Sequence, residues 1–300
     1  MEFYVEGLQK YNNNFTKSSI HNALISGEIM ESRALTFDKE KQLRFSLGEY
    51  EGYMPYEECA DGVREGEIRD IALITRVGRS ICFVVTEIDE TSIPKRAILS
   101  RAIAQKRCKE EYLNSLSFGD IIPCRVTHIE QFGAFCDIGC GISALIPIDC
   151  LSVSRIQSPF DRVKVYQNLN CVIKNRDERG RYTLSLKELL GTWQENAARF
   201  AVGDTIVGIV RGVESYGVFV ELAPNLAGLA EQDLSLKQGQ LVSVYIKSIS
   251  NEKMKIKLVI LHLCENNDFM FPIEYYIKEK HIDDWTYSMP NAHRIIEEHF

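Results

Sequence analysis

Residues 134–138 alternate along an extended chain. Ala134, Cys136 and Ile138 fall on one side, Phe135 and Asp137 on the other. The same phase returns at Val218, Val220 and Leu222, with Phe219 and Glu221 opposite, and at Leu43, Phe45 and Leu47, with Arg44 opposite. Leu169-x-Cys171-x-Ile173 and Val242-x-Val244-x-Ile246 alternate likewise. Clusters such as Asp177-Glu178-Arg179-Gly180 and Ser250-Asn251-Glu252 divide these runs, as turns divide short strands. The pattern predicts a mainly β chain with small aliphatic side chains inside, and Phe135 and Phe219 facing solvent beside an acid.

The strands repeat. Phe118-Gly119-Asp120-Ile121-Ile122 recurs 84 positions on as Val202-Gly203-Asp204-Thr205-Ile206. Phe132-Gly133-Ala134-Phe135 recurs at the same spacing as Tyr216-Gly217-Val218-Phe219, and Leu145 to Asp149 as Leu229 to Asp233. A weaker copy lies upstream, with Leu43 to Gly48 matching Ala134 to Gly139, Gly52 to Glu57 matching Ser143 to Ile148, and Ile98 to Arg101 matching Thr183 to Leu186. Five short strands in about 75 residues suit a Greek-key barrel of the OB type. The expected order is an extension at 1–26, barrels at 27–101, 117–188 and 201–262, helical linkers at 102–116 and 189–200, and an acidic, aromatic extension at 263–300.

An isolated F-G-A-F most often plugs a barrel end, because large aromatics favour burial. Its recurrence in one phase points outward instead. Phe132 precedes Phe135 by three residues, and Gly133 between them permits a bend that brings both rings to one surface. Tyr216, Gly217 and Phe219 repeat the arrangement. Outward ring pairs near basic side chains form a stacking platform for unpaired bases, each worth about 1–3 kcal/mol. Arg176, Arg179 and Arg181 crowd one hairpin, and Lys255 and Lys257 share one strand face. The first unit keeps the apolar face, but Lys41 and Arg44 stand where the rings would be, which suits protein docking or a structural role.

Charge sharpens this division. The net charge of −7 over 300 residues argues against a protein coated in positive charge, but not against a local basic face. Residues 27–100 hold 10 basic and 15 acidic side chains, and residues 265–300 hold 3 and 8. The second and third units are near balance, with 9 and 8 over 117–190 and 6 and 6 over 200–262.

Together these residues resemble the S-one RNA-binding domain, an OB-fold repeat named for the largest small-subunit ribosomal protein. The V-G-D opening, the F-G-A-F turn and the G-R-x-x-L-S ending carry the resemblance. It is strong over Ser117–Leu186, good over Ala201–Leu261 and weak over Gly27–Arg101. It implies an RNA face made of Phe132, Phe135, Asp177 and Arg181 in the second unit, with Arg176 and Arg179 beside them. The family's histidine is replaced by Pro147. In the third unit it implies Tyr216, Phe219 and Lys255, with Lys257 alongside, whereas Glu231 takes the histidine position and Ser250-Asn251 the aspartate's. The implied function is single-stranded RNA binding in the cytoplasm, as a small-ribosomal-subunit protein or messenger-RNA-binding factor. The implied partners are messenger RNA and the small subunit. A protein-interaction scaffold and the RNA-binding subunit of an RNA-processing assembly are the alternatives.

No nucleophile–base pair, phosphate loop or metal motif stands out, so the expectation is a non-enzyme without cofactor or metal. Nine cysteines lack C-x-x-C spacing and read as reduced, mostly buried thiols. The tail histidines His281, His293 and His299 fit no familiar site. No apolar run suits a membrane, and the opening residues lack the pattern of a secretory signal. The tail holds Phe269, Phe271, Tyr275, Tyr276, Trp285, Tyr287 and Phe300, so it should pack on the third barrel or bind a protein.

Overall fold

A computed structural model of the chain describes residues 3–265 and 269–300; parts of the expected extensions at 1–26 and 263–300 therefore lie outside it. The chain divides into two compact units. One comprises residues 3–116 with 137–143, and the other residues 117–136 with 144–300.

In the first unit, helix α1 (Lys17–Ser26) precedes strands β1 (Met30–Arg33), β2 (Thr36–Phe37), β3 (Leu43–Leu47) and β4 (Tyr50–Met54). A short helix α2 (Asp70–Ile74), strands β5 (Ser80–Asp89) and β6 (Lys95–Ser100), and helix α3 (Arg101–Glu111) follow. The sheet has six strands in the order β1-β5-β6-β4-β3-β2, rather than the five of an unbroken barrel. The difference has a local cause. The first barrel strand is broken at Ala34 and Leu35: β1 pairs with β5, while β2 pairs with β3. The Ala34 N–H donates to the Arg79 carbonyl and the Leu35 N–H to the Arg44 carbonyl, so the chain changes partner between adjacent residues. Leu43, Phe45, Leu47, Phe83 and Leu99 fill the interior.

The second unit holds two closed barrels. Strands β7 (Ile121–Glu130), β8 (Gly133–Asp137), β9 (Ser143–Pro147), β10 (Asn168–Arg176) and β11 (Tyr182–Ser185) form one, in the order β10-β11-β9-β8-β7. After helix α4 (Trp193–Ala197), strands β12 (Thr205–Glu214), β13 (Gly217–Ala223), β14 (Leu226–Ala230), β15 (Leu241–Ser250) and β16 (Lys255–Leu263) form the other. Its order, β12-β13-β14-β16-β15, is the same cyclic order. Ala134, Cys136, Ile138, Val218, Val220 and Leu222 are all buried, as their alternation predicts.

The acids opposite them are not at the surface. Asp137 and Glu221 are buried, contrary to the expectation that they face solvent. Alternation fixes which side of a strand a residue takes, but not what covers that side. Asp137 accepts the N–H groups of Glu6, Gly139 and Gly141. Glu221 accepts from Arg162, and from Arg211 at 2.7 Å. Arg211 also pairs with Asp161 at 2.8 Å, and Arg162 reaches the Pro224 carbonyl and the Ser152 hydroxyl. This buried cluster ties the segment between β9 and β10 to β13.

The C-terminal segment crosses both barrels of its unit rather than the third alone. The Ile121 N–H donates to the Lys280 carbonyl, and the Asn170 N–H to the Tyr275 hydroxyl at 2.9 Å. Trp285 and Tyr287 are buried in the core of the third barrel beside Trp193. Strands β17 (Asp284–Thr286) and β18 (Glu297–His299) pair, and Glu298 on β18 holds both Lys174 and Lys187 at 2.7 Å. His281 meets Asp120 and Asp283, and His299 meets Asp284, and the hydrogen bonds to these carboxylates raise the pKa of both imidazoles. Eight cysteines are buried, and Cys264 is partly exposed.

Candidate nucleic-acid interface

Phe132 sits in the turn between β7 and β8 and is 56% exposed. Phe135, in the middle of β8, is half-buried. Their ring centroids are 5.9 Å apart with planes at 89°. In the third barrel Tyr216 is 66% exposed and Phe219 half-buried, with centroids 6.0 Å apart and planes at 85°. Two stretches of sequence thus build one edge-to-face pair, a favourable aromatic geometry.

Glycine makes the pair possible by close approach. A Cβ on Gly133 would lie 2.4 Å from the Ile146 carbonyl oxygen, and one on Gly217 would lie 2.5 Å from that of Ala230. The Ile148 N–H donates to the Phe132 carbonyl at 2.9 Å, which fixes the turn against the end of β9.

Strand register places the cations. In the third barrel Phe219 pairs with Leu229, and Leu229 with Lys257, so these residues form one row across three strands. At the usual strand spacing Lys257 is about 10 Å from Phe219. Lys255 lies two residues earlier on the same exposed face, separated by buried Ile256. In the second barrel Leu145 pairs with Thr183, which puts Thr183 in the place of Lys257 and Arg181 in that of Lys255. Arg181 is 71% exposed and bonds Asp177 at 2.7 Å. Asp177 also accepts the N–H groups of Arg179 and Arg181. The Arg181 N–H, then its guanidinium, hold the Asp177 carboxyl below its ordinary pKa. Arg179 is exposed at the tip, and Arg176 lies over the Tyr182 ring at 5.1 Å. Arg176 is thus partly engaged within the protein, whereas Arg181 projects from a defined base.

One ring escaped the sequence reading. His128 on β7 lies 6.2 Å from Phe135 with planes at 22°, and its Nε2 meets Glu130 at 2.5 Å. Strict alternation after Ile122, Cys124 and Val126 would turn His128 inward. Instead Val126 and Ile129 are both buried, and the phase slips between them. The third barrel has a register shift at the corresponding place, between Val210 and Gly212, and Gly212 pairs with Phe219. The signal was available in Val126-Thr127-His128-Ile129, where two polar residues separate two apolar ones.

The register also corrects the alignment of the first unit. Arg44 pairs with Tyr53, and Tyr53 with Ile98. Tyr53 is therefore the counterpart of Leu145 and Leu229, one residue from the match that the sequence repeat suggests, and Arg96 is the counterpart of Arg181 and Lys255. Arg44 lies over the Tyr53 ring at 4.4 Å and Arg96 at 5.1 Å. Arg44 also bonds Asp38 at 2.6 Å, and Lys41 bonds Asp70 at 2.8 Å.

Comparison with known proteins agrees with this geometry. Residues 116–187 match the S1 RNA binding domain. The chain is 35% identical over 208 residues to the small ribosomal subunit protein bS1 of Staphylococcus aureus, covering 64% of this chain and 52% of that protein. It is 32% identical over 205 residues to the bS1 homolog of Bacillus subtilis, covering 63% and 53%. The chain thus spans about half the length of the curated relatives it matches. Two barrels of one cyclic order and a repeated ring pair thus accompany a match to the S1 RNA binding domain over residues 116–187.

Proposed function

We propose that the chain binds single-stranded RNA through its second barrel, with the third as a weaker site. The observation that carries this reading is the ring pair, built twice in one geometry with Phe132 and Tyr216 exposed and Phe135 and Phe219 half-buried, beside unburied cations. In this mechanism one base stacks on the free face of Phe132. The next stacks at Phe135, where His128 contributes a third ring that the third barrel lacks. Arg181, oriented by Asp177, holds a phosphate, with Arg179 beside it and Arg176 close by. Tyr216, Phe219, Lys255 and Lys257 act likewise in the third barrel, where the exposed Glu231 repels phosphate. The chain acts by binding rather than by catalysis, in the cytoplasm, with messenger RNA and the small ribosomal subunit as its partners. The names of the curated relatives support that setting.

Titration with unstructured RNA, duplex RNA and single-stranded DNA tests the reading. Unstructured RNA should bind most tightly, because paired bases cannot reach the rings. Each phosphate neutralised should contribute about −0.7 to the slope of log affinity against log salt. Equal affinity for duplex and single strand would exclude stacking as the mechanism.

A further inference from the structure

The second unit contains a cleft of about 430 Å³. Its walls come from the segment that follows β9, from Lys187, and from the C-terminal segment at Arg294 and Ile296. Ile148, Val153, Ile156 and Ile296 supply apolar lining. Arg155 and Arg294 are exposed and have no ion pair among the described residues, whereas the Lys187 ammonium is held by Glu298. Asp149 is the one acidic side chain in the lining.

The arginines are set by their backbones. The Ser152 hydroxyl donates to the Ser154 carbonyl at 2.8 Å and accepts from buried Arg162, which shapes the loop that carries Arg155. The Ser288 hydroxyl donates to the Arg294 carbonyl and accepts the Ile296 N–H, both at 2.9 Å, which shapes the turn that carries Arg294.

Two hydrogen bonds tie the lining segment to the turn that carries Phe132. Ile148, which lines the cleft, donates its N–H to the Phe132 carbonyl. The Gln131 side chain donates to the Gln157 carbonyl at 2.8 Å, just beyond the other end of the lining segment. The cleft therefore begins at the residue that anchors the Phe132 turn.

We propose that the cleft holds the sugar–phosphate backbone of RNA leaving the Phe132–Phe135 platform, with Arg155 and Arg294 binding its phosphates. The proposal rests on the RNA-binding reading above and extends it: it gives the C-terminal segment a part in the binding surface. Cations bind phosphate without sequence preference, and the apolar lining accommodates the sugar.

The test uses the full chain and two labelled unstructured RNAs, of about four and about twelve nucleotides, within the range of OB-fold site sizes. The Arg155→Ala, Arg294→Ala double variant should bind the longer RNA on the order of tenfold more weakly at low salt, with a salt slope shallower by about 1.4, and the shorter RNA as wild type does. Replacing both arginines by lysine should restore most of the slope. Unchanged affinity and slope for the longer RNA would overturn the proposal, as would an equal loss for both RNAs. Binding of a polyglutamate peptide that the double variant loses, with RNA affinity intact, would assign the cleft to a protein partner and also overturn it. Failure of the underlying reading is distinguishable: the Phe132→Ala, Phe135→Ala variant would then bind both RNAs normally.

Discussion

Arg44 and Phe219 occupy equivalent outward positions on equivalent strands, each paired with the residue that begins the row across the sheet. In the first unit that residue is Tyr53, and its ring lies beneath Arg44 and Arg96. In the third barrel it is Leu229, and Phe219 touches Tyr216 instead. The second barrel repeats the latter solution with Phe132 and Phe135. The first unit therefore satisfies its outward cations and aromatics within itself, by cation–π contacts of about 0.5–1 kcal/mol each and by surface ion pairs. The two later barrels leave rings and cations with capacity to spare. One fold can carry an open aromatic face or a closed one, and side chains on three strands decide which.

The harshest way to break the contrast is to remove what holds the two later barrels as one unit. Glu221→Ala would leave Arg162 and Arg211 buried without their shared partner. Breaking a buried pair in this way should cost about 3–5 kcal/mol, read by chemical denaturation as early loss of that unit. Wild-type stability would mean that the cluster holds nothing together.

A milder test compares the two ring pairs. Tyr216→Ala with Phe219→Ala should weaken RNA binding by about 1 kcal/mol, the low end for a stacked base, because Glu231 opposes phosphate there and Gly212 supplies no third ring. A loss larger than that from the second-barrel rings would reverse their order.

The alternation of 134–138 and 218–222 made the strands, the core faces and the outward rings legible, because a two-residue period has only two outcomes. The spacing of 84 made the third barrel legible from the second. What stayed hidden depends on contacts between distant segments. Nothing around Ala34 and Leu35 announces that the first strand changes partner there. Asp137 and Glu221 obey the alternation, yet their covers come from Glu6, Arg162 and Arg211, which no local pattern connects to them. His128 was missed because a bulge shifts the phase by one residue. The aromatic tail was legible as ordered, but its path over both barrels was not.

In the first unit, substituting Lys41 and Arg44 by alanine should leave RNA affinity unchanged and lower the thermal midpoint only slightly, because exposed ion pairs contribute little. An effect on RNA binding comparable to that of the rings would erase the distinction between the units.

The smallest expected effect concerns pH. The Tyr50 hydroxyl first, and Lys17 next, hold Glu90 down to about 2 from the ordinary carboxylate value. A lowered folded-state pKa adds stability above the unfolded value, near 4.5, and that contribution disappears as pH falls toward 2. The first unit should therefore lose part of its thermal stability as pH falls from about 5 toward about 2, roughly the span between the two pKa values, and Glu90→Gln should flatten the fall. An identical pH profile in the variant would remove this network from the account.

The most direct measurement is the affinity of the Phe132→Ala, Phe135→Ala variant for a labelled unstructured RNA, with folding checked by circular dichroism. The account predicts a loss of about 2–4 kcal/mol, roughly 30- to 1,000-fold, in a variant that remains folded. A folded variant that binds as wild type does would contradict it.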